Sequence, residues 1–263
     1  MHLKRLIVAA ILLPLIYSYV TYLPEGYFLV LMSAVAVLAM WEFYSMYRIH
    51  GLLRYSCILL GTTLIAVSFT LPEIATKVLA LSIMVVMALR LFVKRTPASS
   101  LHDLAGPIVG LLYIPLFLSF QGHLRKIGPE WIIFLYSTVW ASDSLAYYIG
   151  KGLGKRKLYP EISPNKTVAG AVGSLLGGAA GALLLRIVLL PNFDAGHAAI
   201  IGIMIGMTAV VGDLVESMFK RDAGVKDSGA LIPGHGGILD KIDGALFAGP
   251  LLYSILKIIG ADR

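Results

Sequence analysis

Residues 167–190 read TVAGAVGSLLGGAAGALLLRIVLL and residues 197–219 read HAAIIGIMIGMTAVVGDLVESMF. A helix crossing a hydrocarbon core needs roughly 20 mostly apolar residues, and both stretches supply them, with their acidic and basic groups held toward one end. Glycines at 170, 173, 177, 178 and 181, and again at 202 and 206, let helix backbones approach closely. Their ordinary reading is packing inside a tight bundle. Working outward, further apolar runs of the same kind occupy 6–23, 26–47, 52–71, 74–93, 104–120, 130–149 and 243–260. The expected fold is therefore all-α, a polytopic membrane bundle of about nine transmembrane helices, with residues 1–263 as a single integral-membrane domain and no room for a separate soluble one. The run at 6–23 follows Lys4 and Arg5, but Tyr19 to Pro24 offer no small-residue cleavage site, so it reads as a retained first helix.

Composition agrees. The chain has 263 residues, 58% hydrophobic and 14% charged, against about 25% charged in ordinary soluble domains. An ordinary soluble enzyme, a disordered chain and a nucleic-acid-binding domain are excluded. The net charge of +7 in so apolar a chain fits cytoplasmic loops and anionic lipid headgroups, with no nucleic acid as partner. The lone Cys57 rules out a disulfide and a thiolate metal site.

Basic residues set the orientation. With the N-terminus inside, fifteen of the 22 Lys and Arg residues face the cytoplasm, five (Lys77, Arg125, Lys126, Lys257, Arg263) face out, and Arg90 and Arg186 lie near span ends. The expectation is N-terminus cytoplasmic, C-terminus outside. The two longest connections, 150–166 and 220–242, both fall on the cytoplasmic side and are rich in Gly, Pro, Lys and Asp.

A carboxylate inside a span is costly, about 2.5–3.5 kcal/mol on insertion scales, so each is informative. Glu42, Asp143, Asp213 and Glu216 lie toward the cytoplasmic ends of their spans, and Asp240 and Asp243 open the last one. A helix-end acid also reaches headgroup water or a neighbouring Lys; that alternative weighs more for Glu42 and Glu216 than for Asp143 and Asp213. Asp213, Ser217 and Lys220 follow i, i+4, i+7 and share one helix face. Asp240 and Asp243 share another. Carboxylates from two helices in one layer suit a hard divalent cation such as Mg²⁺. The loops GKGLGKRKLYPEISPNKT (150–167) and KRDAGVKDSGALIPGHGGILDKID (220–243) add cations and exposed backbone N–H groups, the requirement of a polyphosphate. Neither a P-loop nor a dinucleotide fingerprint is present.

The stretch 217–243, SMFKRDAGVKDSGALIPGHGGILDKID, resembles the signature of the phosphatidate cytidylyltransferases: Ser-x-x-Lys-Arg, then Lys-Asp, then Pro-Gly-His-Gly-Gly, then Asp-Arg-x-Asp. Asp143 to Tyr147, Gly150 to Lys155 and Ile162 to Thr167 are similar to a second block of the same family. The likeness covers about the C-terminal half, 129–263, leaving the spans within 1–128 mainly as scaffold. Lys241 replaces an Arg of the pattern, and Ala169 stands where many relatives carry Glu.

The resemblance implies an integral protein of the inner membrane, active at its cytoplasmic face among membrane lipids. The enzyme would join CTP and phosphatidic acid into CDP-diacylglycerol and pyrophosphate, using Mg²⁺ and possibly K⁺, as a homodimer. Asp213, Asp240 and Asp243 are then expected to hold metal, with Asp143 beside them on the substrate side. Lys166, Lys220, Arg221 and Lys226 are expected to hold the triphosphate, with Lys155, Thr167, Pro233, Gly234, Gly236 and Gly237 shaping the binding loops. Ser163 and Ser217 read as hydrogen-bond donors, Asp227 as a partner of Lys226 or of cytidine, and His235 as a phosphate donor or a brace. Two alternatives stay open: a CTP-dependent enzyme acting on another lipid phosphate, such as an ether lipid, and a cation-coupled transporter.

Overall fold

A computed structural model describes residues 15–229 and 236–261. It is built almost wholly of helices: α1 (15–22), α2 (Glu25–Met46), α3 (Gly51–Thr70), α4 (Ala75–Lys94), α5 (Ser100–Leu111), α6 (Phe117–Ile127), α7 (Pro129–Leu153), α8 (Val168–Leu189), α9 (Ala195–Asp222) and α10 (Leu239–Ile258). Among the described residues, six segments are long and apolar enough to cross a membrane: α2, α3, Pro72–Lys94, Ser100–Ile127, α8 and α9. The chain is an all-α polytopic membrane protein. The runs expected at 130–149 and 243–260 are helices too, α7 and α10, of 25 and 20 residues. They carry more polar residues: Glu130, Asp143 and Lys151 with several Trp, Tyr and Ser on α7, and Asp240, Lys241, Asp243 and Lys257 on α10.

Boundaries follow local chemistry. Pro129 sits at the first position of α7, where a missing N–H costs nothing. The hydroxyl of Thr167 accepts the N–H of Gly170 at 3.0 Å and starts α8. Asp194 caps α9 through the N–H of His197 at 2.8 Å, which holds its carboxyl below the usual range. The fifth run is interrupted: a wide π-type turn over Leu112–Leu116 contains Pro115 and separates α5 from α6.

The C-terminal helices pack in sequence, α7 on α8, α8 on α9 and α9 on α10. The glycines of α8 face these neighbours. A Cβ at Gly177 would stand 2.6 Å from the carbonyl oxygen of Ala141 on α7, and one at Gly206 would stand 2.5 Å from that of Ser174. Ser174 ties three helices: its hydroxyl meets that of Ser142 on α7 at 2.5 Å and donates to the Gly206 carbonyl on α9 at 3.0 Å. Buried aromatics join the two halves. Phe219 of α9 lies 5.5 Å from Phe43 of α2 and 5.6 Å from Tyr113, ring centre to ring centre. The connection between α7 and α8 is a hairpin, β1 (Lys157–Tyr159) antiparallel to β2 (Ser163–Thr167), with Lys157 opposite Thr167 and Tyr159 opposite Ser163. Helical periodicity gave no sign of these strands.

Candidate active site

The C-terminal ends of α2 and α9, the hairpin and the start of α10 meet at one end of the bundle, linked by Tyr47 to Asp222 (3.0 Å), Glu42 to Leu239 (2.9 Å) and Lys166 to Asp213 (2.7 Å). Here α9 and α10 run very close. A Cβ at Gly212 would come within 2.6 Å of the carbonyl oxygen of Asp243, so the absent side chain at 212 is what lets the acids of the two helices converge. Asp213 and Glu216 from α9 and Asp243 from α10 place carboxylate oxygens within 4.8 Å of one another.

Each acid has a defined neighbour. Asp213 accepts from Ser217 Oγ at 3.2 Å and pairs with Lys166 Nζ at 2.7 Å. Asp243 accepts the N–H of Gly244 at 2.8 Å. Glu216 is fully buried; one of its oxygens takes the Lys220 ammonium, and Oε1 has no hydrogen-bond partner among the described residues. Lys220 also pairs with Asp240 at 2.6 Å. Among the described residues of this layer, Asp213, Glu216, Asp240 and Asp243 oppose only Lys166 and Lys220. Like charges this close in a poorly hydrated site repel. A divalent cation would balance the excess, and the unpartnered Glu216 Oε1 is a ready oxygen ligand for one. The all-oxygen donor set suits a hard ion such as Mg²⁺, so these residues fit the metal that the sequence implied.

Asp240 stands beside this trio. Its Oδ1 meets Lys220, and its Oδ2 accepts from Ser228 N (3.1 Å), Ser228 Oγ (3.0 Å) and Gly237 N (2.8 Å). Gly236 takes φ +83°, and a Cβ there would lie 2.6 Å from that same oxygen. Asp240 thus fastens the loop before α10 and orients Lys220, while Glu216, which the sequence reading left out of the ligand set, sits in the trio. Its spacing of three from Asp213 was the available signal. Glu42 was also left out: it accepts the N–H groups of Ile238 and Leu239, both at 2.9 Å.

Beside the acids lies a cavity of about 680 Å³, lined by Asp143, Gly150, Lys151, Lys157, Lys166 and Asp213 among others. Asp143, Lys166 and Thr167 all line this cavity, although the Thr167 hydroxyl is engaged in capping α8. Lys155 is exposed and outside the lining, and Lys151 and Lys157 face the cavity in its stead. Ser163 opens β2 away from it. Arg221 donates to the carbonyls of Ile162 (3.3 Å) and Val225 (2.9 Å), bracing the hairpin against the loop after α9. Lys226 and Asp227 are exposed. Pro233, Gly234 and His235 lie outside the described residues.

The chain is similar to several phosphatidate cytidylyltransferases. Over 157 residues it is 42% identical to the phosphatidate cytidylyltransferase of Staphylococcus saprophyticus, covering 60% of each chain. Over 136 residues it is 43% identical to that of Bacillus subtilis, covering 52% of this chain and 51% of the relative. Over 150 residues it is 41% identical to that of Brucella abortus, covering 56% and 55%. The alignments thus span between about half and three fifths of the relatives' own length. The sequence model of the cytidylyltransferase family matches residues 3–259. Running nearly from end to end, that match makes the chain a member of the cytidylyltransferase family.

Proposed function

We propose that this protein is a CTP:phosphatidate cytidylyltransferase, working at the cytoplasmic face of the inner membrane. The observation that carries the reading is the meeting of Asp213, Glu216 and Asp243 at the edge of a cavity lined by Lys151, Lys157 and Lys166. The cytoplasmic placement is supported by the distribution of Lys and Arg, most of which fall at this end of the bundle.

A phosphomonoester oxygen of phosphatidic acid would attack the α-phosphorus of CTP. The new P–O bond forms as the bond to the β-phosphate oxygen breaks, and pyrophosphate departs with that electron pair. The nucleophile is already anionic near neutral pH, so the chain need supply no strong base. The difficulty is bringing two anions together, which calls for positioning and fixed positive charge. Lys151 and Lys157 face the cavity to receive phosphate oxygens, and Lys166 bridges that cavity to Asp213. Lys220, held between Glu216 and Asp240, keeps the acid layer in register and is not spare for substrate. Asp213, Glu216 and Asp243 would hold Mg²⁺, which when bound neutralises triphosphate charge. Asp143 lines the same cavity opposite Lys166 and bounds the substrate side. Helices ending at this layer give a lipid whose chains stay in hydrocarbon access to a nucleotide arriving from water.

The test is purified protein with radiolabelled CTP and a panel of lipid phosphates. CDP-diacylglycerol formed from phosphatidic acid is the expected product. Preference for an ether-lipid phosphate would change the substrate assignment, and absence of any CDP-lipid would overturn the reading.

A further inference from the structure

A second cavity, of about 750 Å³, lies on the far side of the buried aromatics from the acid layer. It is framed by the turn between α2 and α3, the end of α4, the start of α5 and the end of α9. Its polar rim carries Arg48, Arg90, Lys94 and His102. Asp103 takes both Arg90 (2.8 Å) and Lys94 (2.6 Å), and the facing Asp222 accepts from Tyr47. Three permanent cations thus oppose two carboxylates, and the guanidinium of Arg48 has no partner among the described residues. Below the rim, Leu52, Val93 and Met218 are 59%, 57% and 42% exposed, from three different spanning helices. A soluble anion would use the rim and leave this apolar floor uncovered.

The backbone around the opening is strained. Among the described residues, the non-glycine positions with positive φ are Arg48 (53°), Arg95 (50°) and Ser99 (56°). All three belong to the α2–α3 and α4–α5 connections, the two loops that flank this cavity. Left-handed conformations cost about 1–3 kcal/mol each and gather where a ligand is gripped.

We propose that this cavity binds one anionic membrane phospholipid, its phosphate against Arg48 and His102 and its acyl chains along Leu52, Val93 and Met218. The opposite charges of rim and headgroup, and the apolar floor drawn from three spanning helices, select a lipid over a soluble anion. Met218 and Phe219 line the cavity between Glu216 and Lys220 in sequence, within one turn of both, so the bound lipid abuts the helix that carries the acids. The inference goes beyond the proposed reaction and holds whatever that reaction proves to be.

The test is native mass spectrometry of the full chain released from phosphatidylcholine nanodiscs doped with phosphatidylglycerol. Wild type should retain one phosphatidylglycerol per chain. Arg48→Gly combined with His102→Gln should lower that retention about tenfold, and Leu52→Ser, an uncharged change at an exposed position, should lower it comparably. Lys77→Gln, at the opposite end of α4, should leave it unchanged. Undiminished retention in both rim and floor variants would overturn the proposal. So would equal retention of phosphatidylcholine by wild type, or displacement of the lipid by inorganic phosphate alone.

Discussion

Glu42 of α2 closes the start of α10: its Oε2 accepts the N–H of Leu239 at 2.9 Å, across 197 positions of sequence. The same carboxylate takes the N–H of Ile238 (2.9 Å) and the hydroxyl of Ser228 (3.1 Å). A negative group at a helix N-terminus satisfies donors that the helix itself leaves open, and here a distant helix supplies it. Glu42→Ala would strand the N–H groups of Ile238 and Leu239, at about 1–3 kcal/mol each, while the Ser228 hydroxyl keeps Asp240 Oδ2 within reach at 3.0 Å. The expected result is a thermal midpoint in detergent far below wild type, with most product formation lost; a midpoint unchanged from wild type would refute the role.

Glu216→Gln, Asp213→Asn and Asp243→Asn each remove one anionic oxygen from the trio while keeping its shape. Each is expected to weaken Mn²⁺ binding, read by electron paramagnetic resonance, and to lower turnover about a hundredfold or more. Wild-type Mn²⁺ affinity in all three would sink the assignment of the metal to these residues.

Lys220→Ala leaves Glu216 and Asp240 facing each other without their shared cation. Breaking a buried ion pair from one side costs about 3–5 kcal/mol, so the thermal midpoint should fall steeply. Asp240→Asn should act more mildly on stability, because an amide oxygen can still accept from Gly237 or Ser228. A Lys220→Ala chain as stable as wild type but with a raised KM for CTP would return this lysine to the triphosphate.

Gly206→Ala would drive a methyl group to within 2.5 Å of the Ser174 carbonyl oxygen. Overpacking of this kind costs about 1–3 kcal/mol. Gly152→Ala serves as control, since nothing lies within 4 Å of the added carbon. Paired thermal melts should separate the two variants clearly.

The membrane helices were legible because hydropathy is a local property, summed along the chain. The acid layer was legible in part: Asp213, Asp243 and Lys166 declared themselves by charge, spacing and motif. What could not be read was the division of labour among neighbouring acids. Asp240 and Glu216 look alike in sequence, but only tertiary placement shows that four donors saturate one while the other keeps an unpartnered oxygen. Glu42 was set aside as a helix-end acid because its partners sit almost two hundred residues away and are backbone amides, which no side-chain pattern reports. The β1–β2 hairpin escaped notice because its paired residues, Lys157 with Thr167 and Tyr159 with Ser163, carry no alternation of apolar and polar side chains.

The π-type turn at Leu112–Leu116 decides which face α6 presents. Each residue advances an α-helix by about 100°. A wide turn takes up about one extra residue, so winding the same residues into a regular helix would rotate every side chain of α6 relative to α5 by most of that angle. Gln121, which accepts from Tyr136 at 2.8 Å and reaches the Ala245 carbonyl at 3.4 Å, would swing away from α7 and α10. The fifth hydrophobic run would keep its length, its greasiness and its place in any hydropathy plot, yet present the wrong side to the helices that frame the chemistry.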